Sequence, residues 1–196
     1  MRNLFIFIFI FTYAFSMRLS AINLEQLELE DGFEISIFAD NLDAPRQMVE
    51  GENGTIFVAE RGGQILALID ADKNGQIDSK IIVAKDLTLS TGLSIFDGSL
   101  YFSEISKIWK INNIEDWLRN QTDINELPNK NLVIDGLPDD TWHGWKWLQH
   151  DEQGRLHFNV GAPCNICLSE NQQFASILRI ENDLIEHVAR GVRNSV

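Results

Sequence analysis

Cysteine is scarce in this 196-residue chain, which has two, too few for a fold held by a disulfide scaffold. Basic side chains are scarce as well. Sixteen Lys and Arg stand against 29 Asp and Glu, a formal charge of −13. That excess repels phosphate backbones and anionic membrane surfaces, and it excludes nucleic acid as a partner. A comfortable bilayer span needs about 20 apolar residues. The run from Leu4 to Phe15 is well short of that. What is present is ordinary globular usage, 44% hydrophobic and 23% charged, which argues against a disordered chain.

The apolar run follows Met1-Arg2-Asn3 and holds Phe5, Phe7, Phe9, Phe11 and Phe15. One positive charge ahead of a short apolar stretch fits a secretory signal, with cleavage expected after Ser16 or Ala21. An uncleaved anchor and a core strand are the other readings of this run. Residues 1–21 are therefore assigned to a signal peptide and 22–196 to the mature chain. A periplasmic or secreted location, where disulfides persist, is expected, with no stable membrane span left after cleavage.

Beyond the signal, strand-like runs repeat. Gly54, Gly98 and Gly154 each sit in a polar turn between two apolar runs, Met48 to Glu60, Leu93 to Glu104 and Trp147 to Gly161. Each pair reads as a hairpin. A third run follows each: Gln64 to Leu68, Lys107 to Ile111 and Ser176 to Ile180. A fourth element recurs as Ile37–Leu42, Ile82–Leu87, Val133–Leu137 and His187–Val192. The three Gly landmarks are 44 and 56 residues apart, the longer gap holding a one-turn helix near Ile114–Leu118. Four short strands at this period predict an all-β fold, a β-propeller of four-stranded blades; a sandwich would not repeat the four-part order. About three blades are present. A closed ring needs four to eight, so the chain is expected to be the N-terminal half of a propeller or a truncated product.

Innermost strands of a propeller line its channel, so the residues entering them converge. They are Pro45, Arg46 and Gln47; Ser90, Thr91 and Gly92; Trp142, His143 and Gly144; then Arg193 and Asn194. Two Arg, a His and several amides and hydroxyls suit an anionic or polyhydroxylated ligand. His143 suits general-base work, because histidine titrates near neutrality. Packing among Trp142, Trp145 and Trp147 is the competing role.

Two further groupings stand out. Asp70, Asp72, Asn74, Gly75 and Asp78 have the oxygen spacing and glycine of a calcium loop, although Ile81 stands where an EF-hand has its bidentate Glu. A polar turn is the alternative. Cys164 and Cys167 are spaced for zinc, redox chemistry or a local disulfide. Leu168 rather than His follows, so covalent haem is excluded. Outside the cytoplasm the disulfide is expected.

The segments Ala44-Pro45-Arg46-Gln47-Met48, Thr141-Trp142-His143-Gly144-Trp145-Lys146, Gly161-Ala162-Pro163-Cys164-Asn165-Ile166-Cys167 and Ala189–Val196 together resemble the glucose/sorbosone dehydrogenase family, most closely its sorbosone dehydrogenase branch. The resemblance covers residues from about 32 to 196. It implies a six-bladed propeller carrying pyrroloquinoline quinone (PQQ) over the channel with a calcium ion beneath. It further implies that His143 is the base taking the sugar hydroxyl proton while hydride passes to the cofactor. Arg193 would stabilise the quinone oxygen beside Asn194; Arg46 and Thr91, from their places at the entries of the inner strands, are read as further cofactor contacts. A sugar or aldehyde substrate and an electron acceptor would be the partners. Ser90-Thr91-Gly92 replaces the Gln-Asn-Gly of soluble quinoprotein glucose dehydrogenases, which argues against glucose. With about half the pocket missing, the 196 residues alone are expected to be inactive. A calcium-dependent lactonase-type hydrolase and a non-catalytic binding propeller are the rival functions.

Overall fold

The computed structural model describes residues 24–123, 125–182 and 184–195. The expected signal, 1–21, lies outside the described residues. The chain divides into two compact units, residues 1–36 and 37–196. In the first, Leu24–Gln26 form a 3₁₀ turn closed by the Leu27 amide on the Leu24 carbonyl at 3.1 Å.

The second unit is three four-stranded antiparallel sheets, consecutive blades of a β-propeller. Blade one is β1 (Pro45–Glu50), β2 (Ile56–Glu60), β3 (Gln64–Ile69) and β4 (Ser79–Ala84). Blade two is β5 (Leu93–Phe96), β6 (Ser99–Ser103), β7 (Ile108–Ile111) and β8 (Asn131–Ile134). Blade three is β9 (Leu148–His150), β10 (Leu156–Val160), β11 (Ser176–Glu181) and β12 (Leu184–Arg190). Within each blade the strands pair in chain order, as the repeat predicts. The expected helix between β7 and β8 is α1, Ile114–Asn120, whose Ile114 and Leu118 are buried.

Alternation along the strands decides which neighbour each blade packs on. Phe57, Ala59, Ile65, Ala67, Ile81 and Val83 of blade one meet Leu93, Leu100, Phe102 and Ile111 of blade two. On blade two the opposite phase, with Tyr101 and Ile108, joins Leu148, Leu156, Phe158 and Leu178 of blade three. A blade buried on both faces needs apolar residues in both phases, which is why Ile-Phe-Val-Ala and Ile-Leu-Ala-Leu run nearly unbroken.

One expected strand is absent. Ile37–Leu42 carries the outer-strand pattern, yet residues 37–42 form no strand. Phe38, Ala39 and Leu42 instead lie on Val58, Leu66 and Leu68, covering the free face of blade one. The Phe38 carbonyl accepts the Ile77 amide at 3.2 Å, and Lys80 Nζ donates to the carbonyls of Asp40 and Asn41 at 3.2 and 3.1 Å. Burial of the apolar phase is achieved without a ladder.

The inner strands are tied through one side chain. Gln47 Oε1 accepts the amides of Leu93 and Leu148 at 3.0 and 3.3 Å, while its Nε2 donates to the Leu148 carbonyl at 3.0 Å. Blades one, two and three thus share a single amide group at their inner edges.

His150 is a structural histidine. It stacks on Phe96 with centroids 5.0 Å apart and meets the Tyr101 edge at 4.5 Å. The Ser94 hydroxyl lies 2.8 Å from Nδ1. Burial outweighs the attraction of Asp151 and, with Lys110 and His157 adding repulsion, lowers its pKa to about 4. In the unfolded chain a histidine takes up its proton near pH 6.5. The folded state resists that proton, so stability is full above about pH 6.5 and falls as the pH drops toward 4, by a few kcal/mol in order of magnitude. Urea midpoints at pH 7 and 4.5 check this, and His150→Gln is expected to flatten the difference.

Candidate active-site pocket

Between blades two and three, residues 137–147 form an irregular connection that brings His143 to a pocket of about 220 Å³. Thr141, Trp142, His143, Trp145 and Asn194 line it. His143 and Asn194, 51 positions apart in the sequence, are therefore brought together, as convergence at the channel requires. His143 Nδ1 is 2.9 Å from the Ala162 carbonyl oxygen. A carbonyl can only accept, so Nδ1 carries the hydrogen and the lone pair is left on Nε2. The ring also packs edge-on against Trp142, 5.4 Å between centroids.

The same short segment receives Arg193. The Ala162 amide donates to the Arg193 carbonyl at 2.8 Å, and Arg193 Nη2 donates to Asn165 Oδ1. Gly161 sits at the crossing point. A Cβ there would stand 2.3 Å from the His143 carbonyl oxygen, 2.5 Å from its Cβ and 3.1 Å from the Arg193 carbonyl. Only glycine lets the three segments approach this closely. Cys164 and Cys167 are bonded to each other, closing the loop that carries Asn165.

Arg46 is half-buried on the pocket's flank. Its Cζ lies 4.3 Å above the Trp145 ring, and Arg61 lies 5.1 Å from the same ring. Arg46 Nε is shielded from solvent without a hydrogen-bond partner. Thr91 is not among the residues lining this pocket. It is 1% exposed, and its hydroxyl also lacks a partner. Ser90 is buried too and donates to the Glu60 carbonyl at 2.6 Å.

In the β3–β4 turn, carboxylate oxygens of Asp70, Asp72 and Asp78 lie within 4.8 Å of one another. They are already engaged by the loop: Asp70 accepts the Asn74 and Gly75 amides at 3.1 and 2.8 Å, and Asp78 accepts the Ala71 amide at 2.7 Å. Asn74 Oδ1 caps Gln76 at 2.9 Å.

Sequence reasoning missed three participants: the Ala162 carbonyl, Asn165 and Lys146. Backbone acceptors leave no compositional trace. Lys146, however, stands two residues before Leu148 and four before His150, in the buried phase of the β9 region, and it is fully buried.

A family model described as TrAA12-like matches residues 27–180. An uncharacterized protein of Borreliella burgdorferi is 26% identical over 176 residues, covering 87% of this chain and 45% of that protein. Among solved structures, the holo form of the pyranose dehydrogenase PQQ domain from Coprinopsis cinerea superposes with a TM-score of 0.70 at 19% identity, over 85% of this chain and 43% of that one. The calcium structure of a Trichoderma reesei family AA12 carbohydrate-active enzyme gives 0.62 at 18% identity, over 77% and 38%. The chain thus spans less than half the length of each of these proteins. No helix among the described residues is long and apolar enough to cross a membrane.

Proposed function

Because the chain belongs to the TrAA12-like family, we propose that it forms part of a PQQ-dependent oxidoreductase acting on sugars or related alcohols and aldehydes. The observation that carries this is His143: its Nδ1 hydrogen is fixed on the Ala162 carbonyl, so Nε2 is a ready proton acceptor in a pocket shared with Asn194. Two of the similar structures, a holo PQQ domain and a calcium form, support the two cofactors.

The donor set fits a planar polyanion. Trp142 and Trp145 offer flat walls, Asn194 an amide, and Arg46 an unpartnered Nε beside Trp145. Arg193, Asn194 and Arg46 would hold PQQ, with Thr91, buried and with a hydroxyl that has no partner, as a further candidate contact. When bound, PQQ supplies the two-electron acceptor. His143 Nε2 takes the substrate hydroxyl proton, and the Arg193 guanidinium offers positive charge where negative charge grows. Within the same reading, the chain is of the sorbosone dehydrogenase type and its location is periplasmic or secreted, supported by the Leu4–Phe15 run and the Cys164–Cys167 bond.

The test is dye reduction by a protein spanning the relatives' full length, supplied with PQQ, calcium and a panel of sugars, alcohols and aldehydes. Turnover that needs PQQ is expected, and the 196-residue chain alone is expected to show none. Absence of turnover across the panel would hand the site to a binding propeller.

We also read Asp70, Asp72, Asn74 and Asp78 as a structural calcium loop away from the pocket. Millimolar calcium is expected to raise the thermal midpoint by a few degrees. The same midpoint in Asp72→Asn should no longer respond; an identical response in both proteins removes the site.

A further inference from the structure

Lys146 is wholly buried. Its Nζ donates to the Pro138 carbonyl at 2.9 Å and to the Gly144 carbonyl at 2.6 Å. Those two carbonyls bracket Asp139 to His143, so one ammonium closes the connection that presents His143. The histidine needs such a restraint. Its φ is +51°, in the left-handed region that costs a residue with a Cβ roughly 1 kcal/mol or more. A backbone in that state persists only where its surroundings hold it.

The clamp is itself anchored. The Lys146 carbonyl accepts the Ser103 hydroxyl of β6 at 2.8 Å. On either side, Asn159 of β10 donates to the Trp145 carbonyl at 3.1 Å and accepts the Trp147 amide at 2.6 Å. Blades two and three therefore fix the main chain of 145–147, and the lysine side chain carries that rigidity to the connection above.

Filling space does not account for a cation here. A buried charge is a poor stabiliser, and an apolar side chain of similar length serves a core as well or better. Burial drives the pKa of Lys146 down to about 8, against the pull of Asp139 and Asp140, which leaves it charged at neutral pH. What an apolar chain cannot do is hold two carbonyl oxygens at fixed positions.

We propose that Lys146 is a positioning residue for His143: it sets residues 138–144 so that Nδ1 meets the Ala162 carbonyl and Nε2 faces the pocket. The catalytic consequence rests on reading His143 as the base; the positional one does not. The test compares wild type, Lys146→Met and Lys146→Gln. Ring ¹⁵N spectra of His143 in the 196-residue chain should show the Nδ1–H tautomer in wild type and a mixture of tautomers in Lys146→Met, with the thermal midpoint moved by only a few degrees. In the full-span protein loaded with PQQ, kcat should fall at least about 10-fold with KM within about 3-fold, since small misplacements of a reacting group cost that much or more. Lys146→Gln, which keeps donors on a shorter chain, should fall between the two, and it is read in the same way if Lys146→Met does not fold. An unchanged His143 tautomer in the variants overturns the proposal, as does kcat within 2-fold of wild type. A wild-type protein without PQQ-dependent turnover removes the base assignment alone, and the ring spectra still decide the clamp.

Discussion

Replacing His143 by Ala is expected to lower kcat of the PQQ-loaded, full-span protein by at least about 100-fold, the scale of a lost general base. The expectation follows from the tautomer. With Nδ1–H committed to the Ala162 carbonyl, Nε2 is the ring nitrogen that carries the lone pair in the neutral imidazole, on a residue that lines the pocket. His143→Gln keeps a polar group but no comparable base and should fall nearly as far. KM should change little in both, because the proton moves only as the transition state is reached. Arg193→Ala should lower kcat less, its side chain being exposed and held by Asn165. The edge-on packing against Trp142 sets up the contrary outcome. If His143→Ala keeps kcat within about 3-fold while losing stability, the ring is packing material.

Gly92→Ala is expected to be among the most destabilising single substitutions in the second unit. An added Cβ would lie 1.9 Å from the Lys146 carbonyl oxygen, 2.8 Å from Ser103 Oγ and 2.9 Å from Leu148 Cγ. The nearest obstacle is main chain, so no rotamer change relieves it. The Ser103 hydroxyl also accepts the Gly92 amide at 2.8 Å while donating to Lys146, so pushing one partner away breaks two bonds. Overpacking and lost buried hydrogen bonds together set a cost of about 3 kcal/mol or more. At this chain length that lowers the thermal midpoint by roughly 10 °C. A urea midpoint within about 1 kcal/mol of wild type would mean that blades two and three part easily along this seam.

The blades were legible in the sequence because alternation and turn glycines recur in the same order, and each strand is short enough for one turn signal to bound it. Residues 37–42 show where that logic stops. Alternation records which side chains are buried, not whether the main chain pairs, and Phe38 and Leu42 are half-buried against blade one with no ladder. Thr91 shows a related limit. Position in the repeat points to the channel but does not give exposure, and Thr91, just ahead of β5, is 1% exposed. His143 and Asn194 could be paired in advance because equivalent strand entries converge. Ala162 could not, since its role is played by a carbonyl that every residue possesses. Lys146 was visible in principle, as a charged residue in phase with Leu148 and His150.

The shared amide of Gln47 also bears on synthesis. Its acceptor and donor atoms are satisfied by Leu93, 46 residues further along, and by Leu148, 101 residues further along. A chain emerging from the ribosome exposes Gln47 long before either partner exists. The hairpins of the first blade can zip early, since β2 and β3 are joined by a short turn. The second blade supplies Leu93, but the Gln47 Nε2 donor stays without Leu148 until the third blade has been made, and contacts of such long separation are the slow part of folding. During that interval the nascent chain depends on holding factors or on its acidic charge to stay dispersed.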